Sequence, residues 1–317
     1  MLILAQIVGG LLLLVAGGEI VVKGAVALAN RMGISTVVIG LTVVAYGTSA
    51  PETVISIQAA TEGYHDIAIG NVIGSNIANI LLVIGSTALL WPILTQKRLA
   101  KRDGTVMLGV ALLFALLCHD SVIDLIDALV LVLAIVLYTL FAIYDARRGR
   151  QDRQLEEELK EETQVTLPMY LALAMLAGGI MLLIAGSDIL ITGASALARD
   201  FGVPEAVIGA TIVAVGSSTP ELVTSLMAAY RKHADIGIAN VVGSNIYNAT
   251  AVVGFAGIAA PMTVAPQFLT IDLGIMLVVT AAFFAVMLLR DRIGRIEGGL
   301  LVVAYIGYLI VQYRLSF

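Results

Sequence analysis

IGLTVVAYGTSAPETVISIQAA, Ile39 to Ala60, returns 169 residues later as IGATIVAVGSSTPELVTSLMAA, Ile208 to Ala229, with 13 of 22 positions identical. The following stretch returns too: DIAIGNVIGSNIAN (Asp66 to Asn79) is matched by DIGIANVVGSNIYN (Asp235 to Asn248) at 10 of 14 positions. At this shift the two copies align without a gap from Gly9 against Gly178 through Asn79 against Asn248. The chain reads as a duplication, so each chemical feature of one half can be checked against the other.

Around the repeats the chain is strongly apolar. Of its 317 residues 59% are hydrophobic and 13% charged, and the mean hydropathy is +0.99, beyond the composition of ordinary soluble domains. A spanning helix takes roughly 20 apolar residues because the hydrocarbon core is about 30 Å thick. Ten stretches qualify, at 3–29, 34–60, 67–92, 104–118, 123–144, 167–197, 203–229, 236–260, 269–289 and 296–313, the fourth being short. The expectation is an all-α membrane protein of ten transmembrane helices. No basic residue precedes the first apolar run, and that run recurs within the chain, so it reads as a permanent span and not a cleaved leader. Cys118 is alone and forms no internal disulfide; it reads as a small apolar filler. The net charge of −5 comes with no basic stripe, against a nucleic-acid partner.

Lysine and arginine stay on the cytoplasmic side of short loops. With the N-terminus outside, fifteen of them fall inside and two, Arg199 and Arg314, outside, which places both termini outside the cell membrane. Five spans separate equivalent points of the repeat. An odd number turns the second copy over, so the halves are expected to be inverted repeats, 1–144 and 167–317, joined by a polar cytoplasmic linker at 145–166. Secondary transporters are often built this way, with the substrate site where the repeats meet at the midplane.

The second span of each repeat carries helix-breaking residues at its middle, Gly47 to Glu52 and Gly216 to Glu221, with Pro51 and Pro220 inside. Proline removes an amide and crowds the preceding turn, so the helix is expected to break and to release carbonyls around Ala45 and Ala214. Irregular backbone at membrane depth is tolerated only within protein or along a cavity. A carboxylate there costs on the order of 2.5 to 3.5 kcal/mol, yet the second, third, seventh and eighth spans hold no lysine or arginine to neutralise Glu52 and Glu221. Mobile cations or protons are the remaining partners. Ser75 with Asn79, and Ser244 with Asn248, are four residues apart and share a helix face. Thr48, Ser49, Ser217 and Ser218 complete a shell made wholly of oxygen. Calcium takes six to eight such ligands, two glutamates match its charge, and no cysteine or histidine accompanies them to favour a softer metal.

At these residues the chain resembles a known family. The paired GTSAPE…GNVIGSNIAN and GSSTPE…ANVVGSNIYN segments are similar to the two alpha repeats of the sodium/calcium exchanger family, and the resemblance spans essentially the whole chain. It implies that Glu52 and Glu221 are the central ion ligands, surrounded by Thr48, Ser49, Ser75, Asn79, Ser217, Ser218, Ser244 and Asn248. It also implies that the Ala45 and Ala214 carbonyls contribute to sodium sites, and that the first and sixth spans rock across the remaining bundle. Some members, including potassium-dependent ones, carry Asp where Asn248 stands here, which argues against potassium dependence in this chain. The expected activity is exchange of sodium for calcium, with calcium/proton exchange as the alternative. The partners are ions and lipid, with no cofactor and no protein partner. An enzyme is not expected, since the spans hold neither HExxH nor a Ser/His pair.

Other features have plainer readings. Glu19 and its repeat mate Asp188 read as structural or as lining an ion path, with Lys23 one turn beyond Glu19. Gly9 with Gly10, and Gly178 with Gly179, read as close-packing points. His65, His119 and His233 read as solvated at loop edges, and the glutamates of the linker as a solvated helical face.

Overall fold

The computed structural model describes residues 2–157, 167–202 and 214–316. Long proline-free apolar runs become long helices: α1, Leu2–Met32, and α7, Met169–Asp200, which starts immediately after Pro168. Between them lie α2 (Thr36–Thr48), α3 (Ala50–Thr61), α4 (His65–Leu90), α5 (Lys97–Asp120) and α6 (Leu125–Glu157). After α7 come α8 (Ala214–Ser217), α9 (Thr219–Tyr230), α10 (Ala234–Ala259), α11 (Phe268–Leu289) and α12 (Arg295–Ser316). Among the described residues eight helices are long and apolar enough to cross a membrane, and α2 with α3, bent by 42° at their junction, make a ninth. The expected span at 203–229 begins outside the described residues; α8 and α9 are its remainder.

One expected boundary changes. The short fourth stretch is lengthened at its N-terminal end, because α5 begins at Lys97 and takes in the polar KRLAKRD segment. Arg102 and Asp103 pair with each other there, Nη2 to Oδ2 at 2.8 Å, which allows charged residues inside a buried turn. The 145–166 segment, expected as a linker or short surface helix, begins as a continuation of α6 to Glu157, and 158–166 lie outside the described residues.

The most buried helices are α4 and α10, with 72% and 83% of their central windows inside the protein, against 11% for α12. They form the middle of the bundle. Backbone meets backbone there: a Cβ at Gly243 of α10 would lie 2.3 Å from the Leu41 carbonyl oxygen, and one at Gly40 would lie 2.9 Å from the Ala239 Cβ. Both α4 and α10 pass through a π turn, at Asn79–Ile84 and Asn248–Val252. Such turns recur at functional sites because they free a backbone group from the regular ladder.

A seam of glycines joins α1 to α7. Cβ atoms at Gly10 and Gly17 would lie 2.9 Å from the carbonyl oxygens of Gly186 and Gly179, and one at Gly24 3.0 Å from the Leu176 amide. Numbers rise along one helix as they fall along the other, so the pair is antiparallel. Gly10 and Gly179 belong to the seam as expected. Gly9 and Gly178 do not, having nothing within 4 Å, because neighbouring residues on a helix point about 100° apart.

Two antiparallel β bridges were not anticipated: β1 (Ile93–Leu94) pairs with β4 (Arg292–Ile293), and β2 (Val122–Ile123) with β3 (Met262–Thr263). Two-residue strands leave no period in a sequence. Each bridge nevertheless ties an end of the first copy to an end of the second. Beside the second bridge, His65 Nδ1 lies 2.9 Å from the Thr263 hydroxyl, so this imidazole has a protein partner. Glu19 is held in place by two cations, with Lys23 Nζ at 2.9 Å and Arg231 Nε at 2.7 Å. Cys118 is fully buried, as a filler would be.

Candidate cation site

The second span breaks where its proline and glycine predict, but one turn later than the expected free carbonyls. The helix runs unbroken through Ala45–Thr48 and gives way at Ser49, with φ −86° and ψ 10°; Ser218 does the same at −86° and 8°. Ser49 therefore still donates its amide to the Ala45 carbonyl at 3.0 Å. That oxygen also accepts hydroxyls from both halves, Thr48 Oγ1 at 3.3 Å and Ser244 Oγ at 3.4 Å. Ala45 is thus a meeting point and not a free carbonyl. The amides missing at Pro51 and Pro220 would have returned to Gly47 and Gly216. The Gly216 oxygen is taken instead by Ser187 of α7, at 2.7 Å. Ala214 opens α8.

Pro51 and Pro220 stand at the start of α3 and α9, where a missing amide costs nothing. Glu52 and Glu221 follow directly, in the first turn of each helix, where the positive end of the helix dipole favours a carboxylate. Both are fully buried. Ser49 Oγ donates to Glu221 Oε1 at 3.0 Å across the halves, and the two carboxylates are near enough to repel one another. Among the described residues, neither Glu52 oxygen has a hydrogen-bond partner, nor does Glu221 Oε2, and no salt bridge reaches either residue. Two carboxyl groups sealed from solvent with no fixed cation among the described residues are costly to keep ionised, and a bound cation or proton would offset that cost.

The other expected residues gather here to different degrees. Thr48, Ser49, Ser218, Asn79, Ser244 and Asn248 are all buried at 0 or 1% exposure, and Ser75 at 3%. Ser75 lies beside the Glu52 carboxylate, while Thr48 and Ser244 lie beside that of Glu221. Among the described residues Asn248 has no partner on either amide atom, Asn79 none on its oxygen, and Ser218 none on its hydroxyl. Asn79 Nδ2 is committed, donating to Asn245 Oδ1 at 3.0 Å. Ser217 is only part-buried and faces a cavity shared with Ser75. The shell is built of carboxylate, hydroxyl and amide oxygens, the donor set of a hard cation.

The description "Sodium/calcium exchanger protein" belongs to the family profile that matches residues 2–144 and 171–314. The chain belongs to the sodium/calcium exchanger family. Exchangers of this family are multi-pass membrane proteins, and cation/calcium antiport is the activity that membership carries. CaxA of Alkalimonas amylolytica is 38% identical over 310 residues, covering 96% of each chain. The sodium/calcium exchanger MaX1 of Methanosarcina acetivorans is 33% identical over 340 residues, again covering 96% of each. Among solved structures, the sodium-calcium exchanger NCX_Mj soaked with zero Na+ and Ca2+ superposes with a TM-score of 0.84 at 28% identity, over 98% of this chain and 99% of that one.

The exchanger's structure adds residues that the sequence reading passed over. Asn240 accepts from Thr48 Oγ1 at 3.2 Å, and its repeat mate Asn71 donates to the Glu52 carbonyl at 3.1 Å and the Ser56 hydroxyl at 2.9 Å. Asn76 and Asn245 cross between α4 and α10, each amide reaching the other's carbonyl at 3.5 and 3.2 Å. A signal was present: all four are identical between the copies of GNVIGSN and ANVVGSN. Duplication alone marked them as strongly as it marked Ser75 and Asn79.

Proposed function

We propose that this chain exchanges sodium for calcium by alternating access at the cluster around Glu52 and Glu221. The carrying observation is the pair of buried carboxylates, one from each copy, without a fixed cation. Calcium brings two positive charges to two negative ones and is held by hydroxyl and amide oxygens of Thr48, Ser49, Ser75, Asn79, Ser217, Ser218, Ser244 and Asn248. Sodium ions compete for the same oxygens, for the Ala214 carbonyl, and for the Ala45 carbonyl once the Thr48 and Ser244 hydroxyls turn from it toward an ion. The two cargoes cannot occupy the cluster together, which couples their movements.

The full architecture in this reading is ten spans in two inverted halves, 1–144 and 167–317. The antiparallel packing of α1 against its repeat mate α7 supports the inversion, and an inverted pair supplies two related states, open to opposite sides. Both termini face outward from the cell membrane and the 145–166 segment faces the cytoplasm, as the lysine and arginine distribution favours. The protein carries ions and performs no chemical conversion.

Glu52→Gln and Glu221→Gln each remove one of the two charges with little change of shape. Either substitution is expected to abolish sodium-driven calcium uptake into proteoliposomes, and normal flux in both would remove the carboxylates from the mechanism. Because neither Glu52 oxygen has a partner among the described residues, a proton can also neutralise that side chain, which supports calcium/proton exchange as the second reading. Uptake driven by a pH gradient in the absence of sodium would favour it; uptake that requires sodium would favour the first.

A further inference from the structure

The 169-residue shift also aligns a second buried acid in each half. Asp103 falls on Asp272, with Met107 on Met276 and Phe114 on Phe283 in the same frame. Both aspartates sit in π turns, Ala100–Gly104 and Phe268–Asp272, and both are buried, at 0 and 1% exposure. Their surroundings differ. Asp103 takes Arg102 Nη2 at 2.8 Å and the Tyr138 hydroxyl at 3.1 Å, so its charge is balanced on the spot. Where Arg102 stands, the second copy has Ile271. Asp272 Oδ1 accepts from the Gln312 amide; among the described residues Oδ2 has no partner and no salt bridge reaches the side chain.

Asp272 lines a cavity of about 210 Å³ between α4, α11 and α12, with Tyr305, Tyr308 and Gln312 on its wall. The same cavity is lined by Ser75 and Ser217, two residues of the candidate cation cluster. It thus places a buried, uncompensated carboxylate in one space with the edge of the ion site. A low-dielectric cavity of one charge sign concentrates counter-ions, and oxygen donors suit sodium or calcium over softer ions.

We infer that this cavity is a cation vestibule, in which Asp272 holds a hydrated sodium or calcium ion before it passes Ser75 and Ser217 to the glutamates. This rests on the exchanger reading above, and the test has one arm that needs no transport. In a Cys118→Ala background, Gly74→Cys puts a thiol on the cavity wall at a position where an added Cβ meets nothing within 4 Å. Methanethiosulfonate reagents with a trimethylammonium or a sulfonate head then report the local potential, each rate being normalised to that with a free thiol. The cationic reagent is expected to react faster by about tenfold, and Asp272→Asn to bring the ratio toward one. A ratio that Asp272→Asn leaves unchanged overturns the vestibule. In the second arm, Asp272→Asn raises the apparent KM for calcium from one side of the membrane only, in membrane vesicles of opposite orientation, with kcat retained and Asp272→Glu restoring KM. An equal change from both sides, or none, also overturns it. Wild-type protein that moves no calcium removes the exchanger reading, while the reagent ratio still decides the charge of the cavity.

Discussion

Ser49 of the first copy donates its hydroxyl to Glu221 of the second at 3.0 Å, while the repeat-related bond, from Ser218 to Glu52, is not made. Two repeated sequences, identical at 13 of 22 positions here, thus rest in unequal states. A symmetric chain facing two sides in turn must break its symmetry at any moment, and here the difference is visible in a single hydroxyl. Ser49→Ala removes the hydroxyl that donates to Glu221 Oε1 at 3.0 Å, and a hydrogen bond to a charged group contributes about 1.5 to 3 kcal/mol. Thermal unfolding in calcium-free detergent should show that loss, with Ser218→Ala showing a smaller one. Saturating calcium should narrow the difference, because the ion replaces the hydroxyl as the carboxylate's partner.

The glycine seam predicts sharp positional dependence. Gly17→Ala places a methyl 2.9 Å from the Gly179 carbonyl oxygen and forces α1 and α7 apart, at a cost of about 1 to 3 kcal/mol for overpacking. Gly9→Ala meets nothing within 4 Å and gains helix propensity of up to about 1 kcal/mol. Melting temperatures of the two purified variants should move in opposite directions.

The charged turn of α5 tests the value of a buried pair. Arg102→Met leaves the fully buried Asp103 without its counter-ion, a loss of about 3 to 5 kcal/mol. Adding Asp103→Asn removes the stranded charge, so the double variant should be more stable than Arg102→Met alone. Denaturation in detergent measures both.

Pro220 and Ser187 form a linked pair through one carbonyl. Ser187→Ala deprives the Gly216 oxygen of its donor at 2.7 Å, costing about 1 to 3 kcal/mol for an unsatisfied buried acceptor. Pro220→Ala supplies an amide to the same oxygen. The double variant should therefore recover stability that Ser187→Ala loses, and a double-mutant cycle by thermal unfolding checks it.

The parts of this molecule that were legible beforehand are those with a period or a duplicate. Apolar runs marked nine of the helical spans within the described residues, and the break at Ser49 followed from Gly47 and Pro51. Glu52 and Glu221 stood out because a buried charge without a partner is costly. What stayed hidden depends on contacts between distant segments. The Ala45 carbonyl, already taken by the Ser49 amide, also receives Ser244 from 199 residues away, and no local rule shows that second contact. Asn71 and Asn240 look like polar residues on a helix face until α3 and α2 are packed against them. The extension of α5 through KRLAKRD became intelligible once Arg102 met Asp103 and Tyr138.

The β bridges bear on how the protein is made. Ile93 waits for Ile293, and Ile123 for Met262, so each copy leaves the ribosome with strand edges that only the other can close. At about 5 to 20 residues per second, the 200 residues between Ile93 and Ile293 take on the order of 10 to 40 s to synthesise. Through that interval Ile93 and Leu94 lack their strand partner, so the bridge closes only after the second copy has been made.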